Sequence, residues 1–173
     1  MSAALQLLTL EEFMARPERE DGQREELLEG ELIVSPGPKV RHAAIVKQLR
    51  EQLAPLKTQG FIVSSDFSCV LRPHSMPIPD LAAVRRERWE QALGEDAWLE
   101  GAPELVIEVS SPTNRRLPHK SAVYLEHSAE QVWIVYPKTQ TVSVHTLERT
   151  SEARSGESLE FHGVAVELKE IFP

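Results

Sequence analysis

Cysteine is nearly absent from this chain. Cys69 is the single cysteine in 173 residues, which excludes an intrachain disulfide and a cysteine-rich structural zinc site. The sequence also lacks a run of about eighteen apolar residues, and its first residues lack the charged-then-apolar pattern of a secretion signal. We therefore expect a soluble, cytoplasmic protein that does not enter a membrane.

Positive charge is also scarce. The chain has 19 Lys and Arg against 27 Asp and Glu, which gives a net charge of −8. A nucleic-acid partner would meet long-range repulsion from such a chain, since proteins that bind nucleic acids usually present a basic surface. Bound metal cations would offset part of this negative charge, so the acidic balance weakens a nucleic-acid function without excluding it.

The apolar residues indicate a fold of the α/β class with mixed α+β features. With 41% hydrophobic residues, residues 1–173 are expected to form a single domain around one substantial core. Apolar spacing and cap residues predict helices from Thr9 to before Pro17, and over Val40–Lys57, Arg86–Leu93 and Pro118–His127. Extended segments are predicted at Glu26–Val34 (a hairpin turning at Gly30), Phe61–Val63, Phe67–Leu71, Asp80–Val84, Glu104–Val109, Gln131–Tyr136 and Thr141–Thr146, and Gly163–Phe172 is predicted to add an extended piece and a terminal turn. This pattern predicts a mixed sheet of about six strands.

One charged residue stands out inside an apolar strand. Glu108 lies within Leu105–Val109, where an ionised carboxylate would lose several kcal/mol of hydration. Such a residue persists when it is protonated, paired or bound to a cation. Asp80 precedes another predicted strand and Lys120 lies on a predicted helix, so two carboxylates and a lysine could converge at the sheet.

Several segments, in order along nearly the whole chain, resemble the Uma-type putative restriction endonuclease family. They are Glu26–Leu32, Ser35-Pro36, His42, Pro79-Asp80, Gly101–Pro112, Lys120, Tyr124, Gln131–Pro137 and Leu168–Phe172. That family is part of the PD-(D/E)xK nuclease superfamily. The resemblance implies a restriction-endonuclease-like core, in which a mixed β-sheet is flanked by helices.

The resemblance also implies a chemistry and its residues. Asp80 and Glu108 would bind Mg²⁺, for which Mn²⁺ could substitute, and Glu26 would be a further acidic ligand or would position water. Lys120 would orient the attacking water and stabilise the phosphate of a DNA substrate. The superfamily lysine usually lies two residues after the second acid, where this chain has Ser110, whereas the family resembled places it on the following helix.

Two further residues could contact the substrate. Tyr124 follows Lys120 by four residues, which places both on one face of a helix. His42 heads the long helix, where an ordinary helix-start histidine is the simpler interpretation and a contact with phosphate or a metal ligand is the alternative. By analogy, a homodimer would allow two copies to cut the two strands of a duplex.

Each acidic or basic residue also has a structural interpretation. Asp80 could be an exposed loop carboxylate, Glu26 part of a solvated hairpin face, and Lys120 a surface lysine. Glu108 could pair with Arg115 or Arg116. The alternative to a metal-dependent nuclease is therefore a non-catalytic binding or interaction protein on the same fold, in which these residues form a structural ion-pair cluster.

Overall fold

The computed structural model describes residues 7–17, 19–111 and 116–173. Within them the chain forms a mixed α/β fold, with a six-stranded mixed sheet and four helices. The helices are α1 (Leu10–Met14), α2 (Val40–Leu53), α3 (Arg86–Gly94) and α4 (Leu117–Glu126), with 3-10 turns at Ala54–Gln59 and Leu168–Glu170. The strands are β1 (Arg24–Leu28), β2 (Glu31–Ser35), β3 (Phe61–Ser64), β4 (Cys69–Val70), β5 (Leu81–Arg85), β6 (Leu99–Glu100), β7 (Leu105–Val109), β8 (Gln131–Tyr136), β9 (Thr141–His145), β10 (Thr150–Arg154), β11 (Ser158–Phe161) and β12 (Val164–Glu167).

The main sheet has the strand order β10-β9-β8-β7-β5-β3. Strands β7 and β8 are parallel, and the other neighbouring pairs are antiparallel. Parallel neighbours need a crossover connection, which here contains α4. Since Leu81 pairs with Ile107, the start of β5 lies beside the end of β7. We call this end of the sheet, where β7 ends, the carboxyl edge.

Hydrophobic cores lie on both faces of the sheet. On one face, Ile45, Leu49 and Leu53 of α2 pack against alternate residues of β7, including Ile107. On the other face, residues of α4 pack with Val106. Because side chains alternate along a strand, Glu108 points to the α4 face, as Val106 does.

Smaller hairpins and turns complete the fold. Strands β1 and β2 turn at Glu29 and Gly30, both of which have positive φ, and Thr9 caps α1 through a capping box with Glu12. These features confirm the predicted hairpin and the first predicted helix. At the other end of the chain, β11 and β12 pair with each other, and Gln52 of α2 holds the backbone of Glu167.

Two predicted elements differ in extent. The helix predicted over Val40–Lys57 ends as an α-helix at Leu53, because Pro55 has no N–H to donate, and the chain continues as a 3-10 turn. The strand predicted over Phe67–Leu71 is reduced to β4, which pairs in parallel with β6. Within the described part of the chain, no helix has both the length and the apolar character needed to cross a membrane.

Candidate active site

Glu26 is brought inward by the attachment of the β1–β2 hairpin to the segment before β5. Leu27 and Met76 exchange backbone hydrogen bonds of 3.3 and 2.8 Å, which fix this attachment. Oε1 of Glu26 accepts hydrogen bonds from the backbone N–H of Ile78 and from Nζ of Lys120, each at 2.6 Å. The side chain is 14% exposed, so the interpretation as a solvated hairpin face is wrong.

Asp80 lies at the carboxyl edge of the sheet. Its Oδ2 accepts a hydrogen bond from the backbone N–H of Val109 at 2.8 Å and lies 3.0 Å from Nε2 of His42. The antiparallel pairing of β5 with β7 provides the first contact, and the first turn of α2 provides the second. Asp80 is therefore held in place next to Glu108, and the interpretation as an exposed loop carboxylate is wrong.

Glu108 and Lys120 form a buried ion pair between β7 and α4. Their side chains are 4% and 7% exposed, and Nζ of Lys120 lies 2.9 Å from Oε1 of Glu108. Lys120 also donates to the backbone carbonyl of Ile78 at 3.2 Å, in addition to Glu26. The hydroxyl of Tyr124 donates to the same oxygen of Glu108 at 3.1 Å. Lys120 is thus not a surface lysine. Its ammonium group links three parts of the fold: the β1–β2 hairpin, strand β7, and the segment that precedes β5.

Burial dominates the electrostatics of this cluster. Burial raises the pKa of Glu108, and the negative charges of Asp80 and Glu26 add to this shift, whereas Lys120 opposes it and favours the ionised carboxylate. Burial alone would lower the pKa of Lys120, but the carboxylates of Glu108 and Glu26 outweigh it and hold the pKa above its usual value. Burial also raises the pKa of Tyr124, so its hydroxyl is a neutral donor.

Two carboxylates at the carboxyl edge could bind the implied magnesium ion. No group of three His, Cys, Asp or Glu side chains within the described ranges is arranged to hold a metal ion. Asp80, directly before β5, and Glu108, on the neighbouring strand β7, nevertheless offer hard carboxylate oxygens, close enough for the charge of Asp80 to raise the pKa of Glu108. Mg²⁺ commonly binds through one or two carboxylates and keeps several waters, so this pair fits Mg²⁺.

The structure brings all six sequence-derived candidates into two linked groups. Lys120 connects Glu26, Glu108 and the helix that carries Tyr124, while His42 lies against Asp80. Of the two proposed partners of Glu108, Arg116 pairs with Glu31, and Arg115 lies outside the described residues.

Sequence reasoning missed the backbone groups of the site. The carbonyl and N–H of Ile78 bind Lys120 and Glu26, and the N–H of Val109 binds Asp80. Backbone groups carry no residue signature, so only the pairing of the strands could have revealed them. Ser110, two residues after Glu108, continues the backbone pairing by donating its N–H to the carbonyl of Val135.

Comparisons with known proteins agree with this architecture. The model of the Uma2 family, described as putative restriction endonuclease, matches residues 10–173. The chain is similar to a crystal structure titled as a putative nuclease belonging to DUF820 from Anabaena variabilis, with a TM-score of 0.81 and 24% identity over 95% of this chain and 97% of that chain. At this identity the likeness shows the fold alone. The search of curated proteins finds no match. With nearly its whole length matched, the chain belongs to the Uma2 family of putative restriction endonucleases.

Proposed function

We propose that this protein is a metal-dependent nuclease that hydrolyses DNA phosphodiester bonds with a metal-activated water. The observation that supports this most strongly is the buried cluster in which Lys120 lies between Glu26 and Glu108, next to Asp80 at the carboxyl edge. A buried arrangement of this kind is costly to desolvate, and replacing it with apolar residues is often neutral or stabilising. A role in chemistry explains why carboxylates and a lysine occupy these positions.

Asp80 and Glu108 would hold the Mg²⁺ ion, with Mn²⁺ as a substitute. When bound, the ion makes a water more acidic and offsets negative charge on the phosphate. Asp80 is fixed by the Val109 N–H and by His42, and Glu108 by Tyr124 and Lys120, so both carboxylates are oriented before substrate arrives. Preorganised groups of this kind need little rearrangement in the transition state.

Lys120 would orient the attacking water and stabilise the developing charge on the phosphate. Glu26 would keep this lysine charged, because its carboxylate raises the pKa of Lys120 and its Oε1 accepts a hydrogen bond from Nζ. Both contacts of Glu26 use Oε1, so within the described residues Oε2 is left for either implied role, metal binding or water positioning. His42 would hold Asp80, and Tyr124 would hold Glu108.

The test is cleavage of supercoiled plasmid and of single-stranded DNA with Mg²⁺ or Mn²⁺. The wild type is expected to cut, and Asp80→Asn and Glu108→Gln, purified identically, are expected to lose at least a hundredfold in rate, as typical for lost charge stabilisation. Lys57 is exposed and lies at the end of the sheet opposite the carboxyl edge, so Lys57→Ala serves as the control and should cut like the wild type. Equal cleavage by all four proteins would indicate a contaminating nuclease and contradict the assignment.

A non-catalytic binding function is the second candidate. The observation that favours it is that Lys120 already pairs with both Glu26 and Glu108, as a structural ion-pair cluster would. That function predicts no cleavage on any DNA form and no stabilisation by divalent cations. A homodimer, which would cut two strands with two sites, is proposed by analogy and is tested by sedimentation in solution.

A further inference from the structure

We propose that a groove beside Asp80 binds the sugar-phosphate backbone of a DNA strand, chiefly through Lys47 and Arg50 of α2. The inference rests on the nuclease function proposed above and adds to it the path that the substrate takes into the site. Its evidence is a concave surface, a row of cations along a helix, and a direct connection to a candidate metal ligand.

The groove has a volume of about 280 Å³ and opens to solvent between α2 and the loop after β3. Asp80 is one of the residues that line it, so the groove and the candidate active site meet at this side chain. The basic residues that line it are Arg24, His42, Lys47 and Arg50, and the acidic ones are Asp66 and Asp80. In a chain with a net charge of −8, this surface has more basic than acidic side chains.

The helix presents these residues because of their spacing. Ile45, Leu49 and Leu53 bury one face of α2 against the sheet. Lys47 and Arg50 are three residues apart and are therefore neighbours on the exposed flank of this buried face, whereas His42 lies one turn before Ile45 and reaches the groove from the start of the helix. His42 and Arg50 are eight positions apart, about 12 Å along the helix, a length over which a DNA strand presents roughly three phosphates along the duplex axis.

The charges on this face are available to a phosphate. Lys47 pairs with Glu51 at 3.5 Å, but the two side chains are 70% and 56% exposed, and such pairs contribute little. Arg50 donates to the neutral hydroxyl of Ser65, and within the described residues it forms no ion pair with a carboxylate. A DNA phosphate could therefore bind either side chain without breaking a buried interaction.

Arg24 supports the opposite wall. It pairs with Asp66, whose other oxygen accepts a hydrogen bond from Ser65 at 2.7 Å. The loop at Ser65 is thus connected to β1 through Arg24 and to α2 through Arg50. These contacts place Ser65 and Asp66 between the two walls of the groove, while His42 lies 3.0 Å from Asp80.

The experiment measures binding of a fluorescently labelled DNA duplex by anisotropy over a series of salt concentrations, with Ca²⁺ in place of Mg²⁺ to slow hydrolysis. The test variant is Lys47→Ala/Arg50→Ala. The control is Lys57→Ala/Arg149→Ala, which removes one lysine and one arginine from exposed positions at the opposite edge of the sheet. Both pairs change the net charge equally, so a difference between them reports position.

The expected result is weaker binding by the test variant and a smaller salt dependence. Log affinity falls with log salt, and each lost phosphate contact makes this slope less negative by about 0.9, so the double change makes it less negative by about 1.8, while the control keeps the wild-type slope. The charge-preserving variant Lys47→Arg/Arg50→Lys should retain most of the binding.

The outcomes separate the two proposals. If the wild type cleaves DNA but the test variant binds with the wild-type affinity and slope, the groove assignment is wrong and the nuclease function stands. If the wild type binds through Lys47 and Arg50 without cleaving, the groove is supported and hydrolysis is wrong. Absence of DNA binding by the wild type at every salt concentration overturns both.

Discussion

Nζ of Lys120 lies 2.9 Å from Oε1 of Glu108. The lysine therefore reaches Glu108 from helix α4 and not from β7, the strand that carries Glu108. Two residues after Glu108 lies Ser110, whose backbone N–H continues the pairing with Val135. The ammonium group of Lys120 also binds a second carboxylate, Glu26, at 2.6 Å.

Replacement of Lys120 by methionine tests how much the cluster depends on this cation. Lys120→Met leaves Glu26 and Glu108 buried without their partner, and breaking a buried ion pair in this way costs about 3–5 kcal/mol. Urea denaturation should show that the free energy of unfolding falls by this amount in Lys120→Met. Lys57→Met, at an exposed position, should change the free energy of unfolding little. A loss below about 1 kcal/mol, the value of a surface pair, would contradict the buried pair.

Tyr124→Phe tests the hydrogen bond to Glu108. The change removes one donor from a buried carboxyl group and should lower the free energy of unfolding by about 1–3 kcal/mol. Tyr136→Phe is the matched control, because its hydroxyl has no hydrogen-bond partner within the described residues. Equal unfolding midpoints for the two variants would show that the Tyr124 hydroxyl does not support Glu108.

Much of the scaffold could be predicted from the sequence, because apolar periodicity and turn residues are local signals. Gln131–Tyr136 is a strand over the predicted range, and Gly30 marks the hairpin turn as expected. Strand β10 was missed, since within it only Ala153 is buried and no apolar alternation marks it. It forms because β9 offers an edge with which it can pair.

The sequence was enough to predict which residues form the candidate site, but not which of them contact one another. The charge inside an apolar strand drew attention to Glu108, but nothing local indicates that Glu26 binds Lys120 across 94 positions of sequence. That contact depends on the hairpin attaching at Met76, which is a tertiary event. The basic groove was missed for the same reason, since Arg50 and Asp80 meet through the packing of α2 on the sheet.

Cys69 provides a prediction about pH. Burial raises the pKa of its thiol well above the usual value, so the folded protein keeps it protonated where an unfolded chain, with a pKa of about 8.5, begins to ionise. The folded pKa is the higher one, so the contribution of Cys69 to stability is complete below pH 8.5 and decreases as the pH rises above it.

This dependence is isolated by comparison with Cys69→Ala. The difference in unfolding free energy between the two proteins should be constant below pH 8 and fall above pH 9, by up to about 1.4 kcal/mol per pH unit. Iodoacetamide should label Cys69 in urea and leave it unmodified in the folded protein. Rapid labelling of the folded protein would show that the thiol is accessible, against its complete burial.

Gly30→Ala tests the hairpin that carries Glu26. Gly30 has a φ of 83°, and an added Cβ would lie 3.0 Å from the Cβ of Leu7 and 3.2 Å from the carbonyl oxygen of Leu8. We expect a loss of about 1–3 kcal/mol from backbone strain, measured by thermal unfolding. Gly37→Ala, where an added Cβ meets nothing within 4 Å, should be neutral or slightly stabilising. Equal losses of stability in Gly30→Ala and Gly37→Ala would show that the turn does not require glycine at position 30.

The central claim is that Asp80 and Glu108 together hold a divalent cation, and the most direct test is calorimetric titration of Mn²⁺ into the wild type, Asp80→Asn and Glu108→Gln. Circular dichroism should first show that all three proteins are folded. We expect saturable binding by the wild type that is lost or strongly weakened in both variants. Unchanged binding in either variant, or no binding by the wild type, would contradict it.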